Sequence, residues 1–302
     1  MASSCLSHVL EIEKLEISPK PNWLELPRDI TMNILQRLET LALVTSASVV
    51  CPVWWNICKD PLIWTTIDLR SVSLSNIDFK YSSTLEKICR YAVNRSCGHL
   101  KDIYIKIFGT DELLLLIANS ASKLRCIQLE LCHEISNKVL EEVVNKQPFL
   151  EELEFWHCFE LREDSFGHIG GSCQFLKSLK FSPCVEAVSH NNCDDAAVTL
   201  GKTMSNLRHL TILNNELTNG LQAILDGCPF LESLDIRGCL YVDLDGSLGK
   251  RCNAQIKELR FPAESIYNKF DCVNFMNYLQ YNIMTRIDFD AIDYSRFNEI
   301  PE

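Results

Sequence analysis

Leu124–Phe155 reads LRCIQLELCHEISNKVLEEVVNKQPFLEELEF. It opens and closes on the same phrase, L-x-x-L-x-L, once as LRCIQL and again as LEELEF at Leu150. In the phrase apolar and polar residues alternate, the period of a strand with one buried face. Between the phrases, Val139, Leu140, Val143 and Val144 fall at the spacing of one apolar helix face. One strand plus one helix in 26 residues cannot bury its own apolar side, so it must be stacked against copies of itself.

The copies are present. Variants of the phrase begin at Leu100, Leu124, Leu150, Leu176, Leu207, Leu231, Ile256 and Met284, at intervals of 24 to 31 residues. A ninth candidate, WTTIDL, begins at Trp64. Helical spacing predicts helices over 81–96, 111–121, 137–145, 164–172, 194–204 and 218–225. The widest interval, Leu176 to Leu207, holds an insertion within SPCVEAVSHNNCDD, expected as a loop. The period and phrase resemble the leucine-rich repeat, which implies a curved parallel sheet with helices on its convex side. That family expects Asn or Cys three residues beyond the last apolar position, and Cys132, Cys158, Cys184, Asn215 and Cys239 stand there. Cys97, Cys173 and Cys228 precede units by three residues. This resembles the cysteine-containing, plant-like subfamily often joined to F-boxes, and it implies buried cysteines at these positions.

Upstream of the array, residues 23–64 read WLELPRDITMNILQRLETLALVTSASVVCPVWWNICKDPLIW and carry four of the five tryptophans. Three short helical faces follow one another: Leu26 to Leu38, Leu41 to Cys51, and Val53 to Ile57, with Asp60-Pro61 marking a turn. Such a stretch buries too little surface to stand alone, so part of its apolar face needs cover from the next domain or a partner. Leu26-Pro27, Ile30, Ile34-Leu35, Leu38, Val50-Cys51, Trp54, Asp60-Pro61 and Trp64 resemble the F-box, a three-helix module that docks on the Skp adaptor of cullin–RING ubiquitin ligases. Glu39-Thr40 departs from a second Leu-Pro that many F-boxes carry. The resemblance implies adaptor contact through Leu26, Pro27, Ile30, Ile34, Leu35, Leu38, Val50, Cys51 and Trp54. The organisation is then an α/β chain: a flexible leader (1–22), an F-box (23–64) and a repeat domain of about eight units (65–302) with a C-terminal cap near 284–302.

A net charge of −11 argues against nucleic acid or an anionic membrane as the main partner. No run approaches the ~20 apolar residues of a membrane span, and residues 1–14 lack the basic and apolar regions of a secretory signal. The expected location is nucleus and/or cytoplasm. Fifteen cysteines without a C-x-x-C pair suggest reduced thiols, with Cys184, His190 and Cys193 as the densest and still weak metal candidate. No metal or cofactor is expected. No nucleophile elbow, zinc-protease helix, P-loop or dinucleotide fingerprint occurs. Cys132-His133 and His157-Cys158 are neighbours in sequence, and strand neighbours point to opposite faces, so neither makes a nucleophile–base pair. A non-catalytic binding protein is expected.

Period-2 alternation sends the residues flanking the repeat's second apolar position to the concave face. Candidate target-binding residues are Tyr104, Glu130, Glu152, Glu154, Trp156, Lys180, His209 and Arg237. Glu130, Glu152 and Glu154 suggest an acidic cluster and Trp156 an aromatic anchor. The F-box resemblance implies a substrate-recognition subunit of a Skp–cullin–F-box ubiquitin ligase, with the adaptor and, through it, the cullin as partners and an unknown protein target. A protein-binding scaffold outside the ligase is the alternative.

Overall fold

The computed structural model describes residues 25–70, 79–158, 165–182, 193–239 and 241–261. The leader, Trp23, the 183–192 insertion with Cys184 and His190, and the unit at Met284 with the expected cap lie outside the described residues.

Eight strands form one parallel sheet in sequence order: β1 Thr66–Leu69, β2 Asp102–Lys106, β3 Cys126–Glu130, β4 Glu152–Trp156, β5 Ser178–Ser182, β6 His209–Ile212, β7 Ser233–Asp235 and β8 Glu258–Arg260. Each coincides with a unit of the repeated phrase, and WTTIDL supplies β1. The helices of the repeats are α4 Phe79–Arg95, α5 Asp111–Ser120, α6 Asn137–Lys146, α7 Phe166–Ser172, α8 Cys193–Thr203, α9 Gly220–Gly227 and α10 Ser247–Gln255. Six of them match the expected ranges to within a few residues, whereas α10 was not expected. Its sequence, SLGKRCNAQ, carries only Leu248, Cys252 and Ala254 of the usual apolar set, so helical spacing does not betray it. Helices pack about 8–10 Å apart while strands pair at about 4.8 Å. Stacking both at one repeat per layer therefore bends the array toward its strands.

The core residues of consecutive strands stand in register: Ile67, Ile103, Ile127, Leu153, Leu179, Leu210, Leu234 and Leu259 form one line through the sheet. All but Leu259, on the terminal strand, are buried. Phe155 and Phe166 both meet Phe181 edge-on at 5.3 and 5.5 Å, the favoured aromatic geometry.

Cysteines tie the turns together. The thiol of Cys132 donates to the carbonyl of Ile105, that of Cys158 to Leu129 and that of Cys239 to Ile212, each reaching the last core residue of the preceding strand. At the other edge, Cys173 reaches the carbonyls of Val144 and Gln147, and Cys228 that of Met204. Gln147 takes the equivalent place one repeat earlier, donating Nε2 to the carbonyls of Ala118 and Ala121 at 2.9 and 2.6 Å. Burial pushes the Cys173 and Cys228 thiols up to about 12 and about 11, so they stay protonated and serve as donors. Cys97 breaks the pattern. It is exposed, sits at φ 46° and turns its thiol to Asn94 within its own turn.

Strand ends use a device the residue types did not announce. Ile107, Leu131 and His157 adopt left-handed backbone (φ 83°, 55° and 52°), and their N–H groups donate to Glu130, Trp156 and Ser182 in the next strand. Non-glycine residues rarely sit there, and the inter-repeat hydrogen bond offsets the strain. On the helical side, Asp111 accepts from the backbone and hydroxyl of Ser136, the N-cap of the next helix, at 2.7 and 2.8 Å. Asp194 does the same for Thr218 and Gly220. Burial alone would raise the Asp194 pKa, but these hydrogen bonds outweigh it and hold the carboxyl below its usual range.

Candidate docking and recognition surfaces

The N-terminal module is α1 Arg28–Leu35, α2 Thr40–Thr45 with a 3-10 turn at Ala47–Val49, and α3 Pro52–Cys58, followed by a 3-10 turn at Pro61–Trp64. Pro52 starts α3, where its missing N–H costs nothing, and the Cys51 sulfur caps it by accepting from the Trp54 N–H at 3.5 Å. Arg28 pairs with Asp60 at 2.6 Å, while Asp60 accepts from the Leu62 N–H and Gln36 donates to the Leu62 carbonyl. Three helices too short to persist alone are thereby closed into a ring of contacts.

One side of this module is sealed. Leu35, Leu43, Ile57 and Ile63 are buried and continuous with Ile67, Leu85 and Ile103 of the array. Trp64 is 1% exposed, donates its indole N–H to the Cys58 carbonyl at 2.9 Å and meets Tyr91 of α4 edge-on. The Thr40 hydroxyl accepts from the Asp68 N–H of β1 at 2.8 Å. The module and the first repeat share one core.

Elsewhere the module leaves apolar side chains exposed. Ile30 (44% exposed), Leu38 (38%) and Val50 (60%) stand out, joined by Val49 (56%) and Val53 (43%), which sequence reasoning missed. Pro27 is exposed, and Leu26, Ile34, Cys51 and Trp54 are half-buried. Leu35 is a correction to the expected docking set: at 0% exposure it belongs to the shared core and has no surface to offer. Its spacing put it beside Ile34 on a helix whose two faces were not distinguishable without the first repeat. Val49 and Val53 stand beside the conspicuous Val50 and Trp54, and their exposure depends on how the 3-10 turn rotates the chain.

The concave sheet differs. Row by row its charges are paired: Lys106 with Glu130 at 2.6 Å, Glu154 with Lys180 at 2.6 Å, and Arg237 with Asp235 at 2.7 Å. Arg70 stacks over Tyr104 at 4.2 Å and holds Asp68 and Gln128. The expected acidic cluster is therefore corrected. Two of its three carboxylates are already neutralised by the neighbouring strand, and Glu154 is 7% exposed. A single strand's sequence shows the acids of that strand but not the cations its register brings alongside. Glu152 and His209 are exposed, and Trp156 is half-buried with its indole N–H on Glu154 at 3.2 Å.

A stacked strand–helix array carrying a helical module with one sealed and one bare apolar face defines a repeat-based binding protein. Comparison with known proteins agrees: the F-box-like family matches residues 23–70. The chain is 41% identical to F-box/LRR-repeat protein 23 of Arabidopsis thaliana, over 88% of this chain and 58% of that protein. It is 40% identical to the F-box protein SKIP19 of the same plant, over 84% of this chain and 82% of that protein. The chain spans somewhat over half the length of the first relative and about four-fifths of the second. It belongs to the F-box/leucine-rich-repeat proteins.

Proposed function

We propose that this chain is the substrate-recognition subunit of a Skp–cullin–F-box ubiquitin ligase working in the nucleus and/or cytoplasm, without chemistry of its own. The observation that carries the reading is the bare face of Ile30, Leu38, Val49, Val50 and Val53 on a module whose opposite face is sealed. Apolar side chains standing singly on a surface are ordinary, whereas five within 24 residues of one small module call for a partner. The Skp-type adaptor covers this face, and the cullin is reached through it. The array holds the target, and ubiquitin comes from a conjugating enzyme recruited elsewhere, so the gain is proximity. Because Thr40 is bonded to β1 and Trp64 packs on Tyr91 of α4, the target is held at a fixed position relative to the adaptor.

The test is capture of a recombinant Skp-type adaptor by the full chain. Ile30→Asp combined with Val50→Asp should abolish capture, and Leu26→Ala with Pro27→Ala should weaken it, with unchanged circular dichroism. Wild-type capture by the aspartate pair would refute the docking assignment.

A further inference from the structure

Resting on the target-binding reading above, we infer that the centre of the concave face, Glu152 to Trp156 on β4 with Ser182 on β5, takes an extended protein segment. That segment carries an unmodified basic side chain about four residues from an apolar one, and it is neither phosphorylated nor acidic.

Three observations meet there. Trp156 is locked before any ligand arrives: its indole N–H is held by Glu154, and Glu154 is held by Lys180. An aromatic whose orientation is already fixed loses little freedom on binding, and such residues dominate interfaces. Next, the strand register sets Ser182 directly beside Trp156. Its hydroxyl is buried and has no hydrogen-bond partner among the described residues. Finally, Glu152 is exposed on the same strand and face, and it makes no hydrogen bond or ion pair among the described residues.

The sign of the partner follows from what is already paired. Among the described concave residues of β3 to β6, Glu130 and Glu154 hold lysines, and the one lysine, Lys180, is occupied by Glu154. An anionic ligand would find no free lysine or arginine on these rows. A cation finds Glu152. Four residues along a strand at about 3.3 Å each separate Glu152 from Trp156 by roughly 13 Å. An extended segment covers that distance in about four residues.

The probes are fluorescent nonapeptides of Gly and Ser that carry Lys, Glu or phosphoserine four residues from a Leu. They are titrated onto the full-length chain bound to its adaptor. The lysine series should bind at least about fivefold tighter than the other two and weaken with salt, as an exposed ion pair does. Glu152→Lys should reverse the order, and Trp156→Ala should remove binding of all three, with Trp156→Phe restoring part of it. All three variants should capture the adaptor as wild type does, which shows that the fold persists. Tighter binding of the phosphoserine series, an unchanged order in Glu152→Lys, or no binding by any series would overturn the proposal. Loss of adaptor capture by the wild-type chain would instead strike at the ligase reading.

Discussion

In the N-terminal module, Ile30, Leu38, Val49, Val50 and Val53 stand 38–60% exposed, and the polar side chains close by are used to brace the module. On the concave sheet of the array the proportions are reversed: apolar residues point inward and the outer rows are charged, with Glu130 and Glu154 answered from the neighbouring strand and Asp235 by Arg237 two residues on. Apolar area gives affinity with little selectivity, which suits docking on one shared adaptor. A surface whose ions already satisfy one another gives little to a stranger, because a newcomer must displace pairs worth about as much as it offers. On the proposed reading, selectivity then rests on the exceptions, Glu152 and Trp156.

The comparison breaks first at the bare face. Placing aspartates at Ile30 and Val50 should cost at least a hundredfold in adaptor affinity, measured by biolayer interferometry. The melting temperature should stay within a few degrees, since neither residue is buried. A negative charge introduced on the concave face, as Thr211→Asp, should leave adaptor affinity unchanged.

It breaks next at the seam. Trp64→Ala should lower stability by about 3–5 kcal/mol, the usual loss for a buried tryptophan. It should weaken adaptor capture as well, because the same core supports both surfaces. Two separate urea transitions, with capture intact, would show that module and array are independent.

Much of this was legible in the sequence because each strand had to repeat the same apolar alternation to stack. The lines of Ile and Leu, and the cysteines three residues beyond them, could not vary freely. What escaped was set by neighbours. Leu35 looks like Ile34 until the module folds and buries one of them. Glu154 looks like a free acid until β5 places Lys180 against it. The left-handed turns at Leu131 and His157 carry no glycine signal, since the next strand's carbonyl holds them. Glycine matters instead where α8 and α9 touch. A Cβ on Gly227 would run into the backbone carbonyl of Gly201. Gly227→Ala should therefore cost about 1–3 kcal/mol as overpacking, read as a shift in urea midpoint, while Gly171→Ala, with open space around it, should be tolerated.

Acid should separate the interior from both surfaces. Burial, with His157 nearby adding to it, pushes the His133 pKa down to about 4 from an ordinary 6.5. The folded chain therefore keeps His133 neutral where the unfolded chain protonates it. The unfolded state binds the extra proton between pH 6.5 and 4, so stability falls as pH falls through that window. His133→Asn should flatten the slope of urea midpoint against pH there. A slope identical to wild type would mean that other groups carry it. Below pH 4 the decline should continue in both proteins, because protonating Asp194 releases the hydrogen bonds from Thr218 and Gly220.

The smallest effect tests the claim that concave charges guard selectivity rather than the fold. Lys177 pairs with Glu151 at 2.8 Å on the rim, and both side chains are substantially open to solvent. Exposed pairs of this kind contribute about 0.2–1 kcal/mol, so Lys177→Ala should shift the melting temperature by no more than about 3 °C. Adaptor capture should not change. Peptide selectivity should, because removing the lysine leaves Glu151 and Glu152 at the start of β4 with one fewer cation nearby, Arg125 still acting on both. The lysine-bearing peptides should gain up to about threefold in affinity, and the phosphoserine series should lose. A large drop in stability with no change in peptide order would show that the pair holds the sheet together instead.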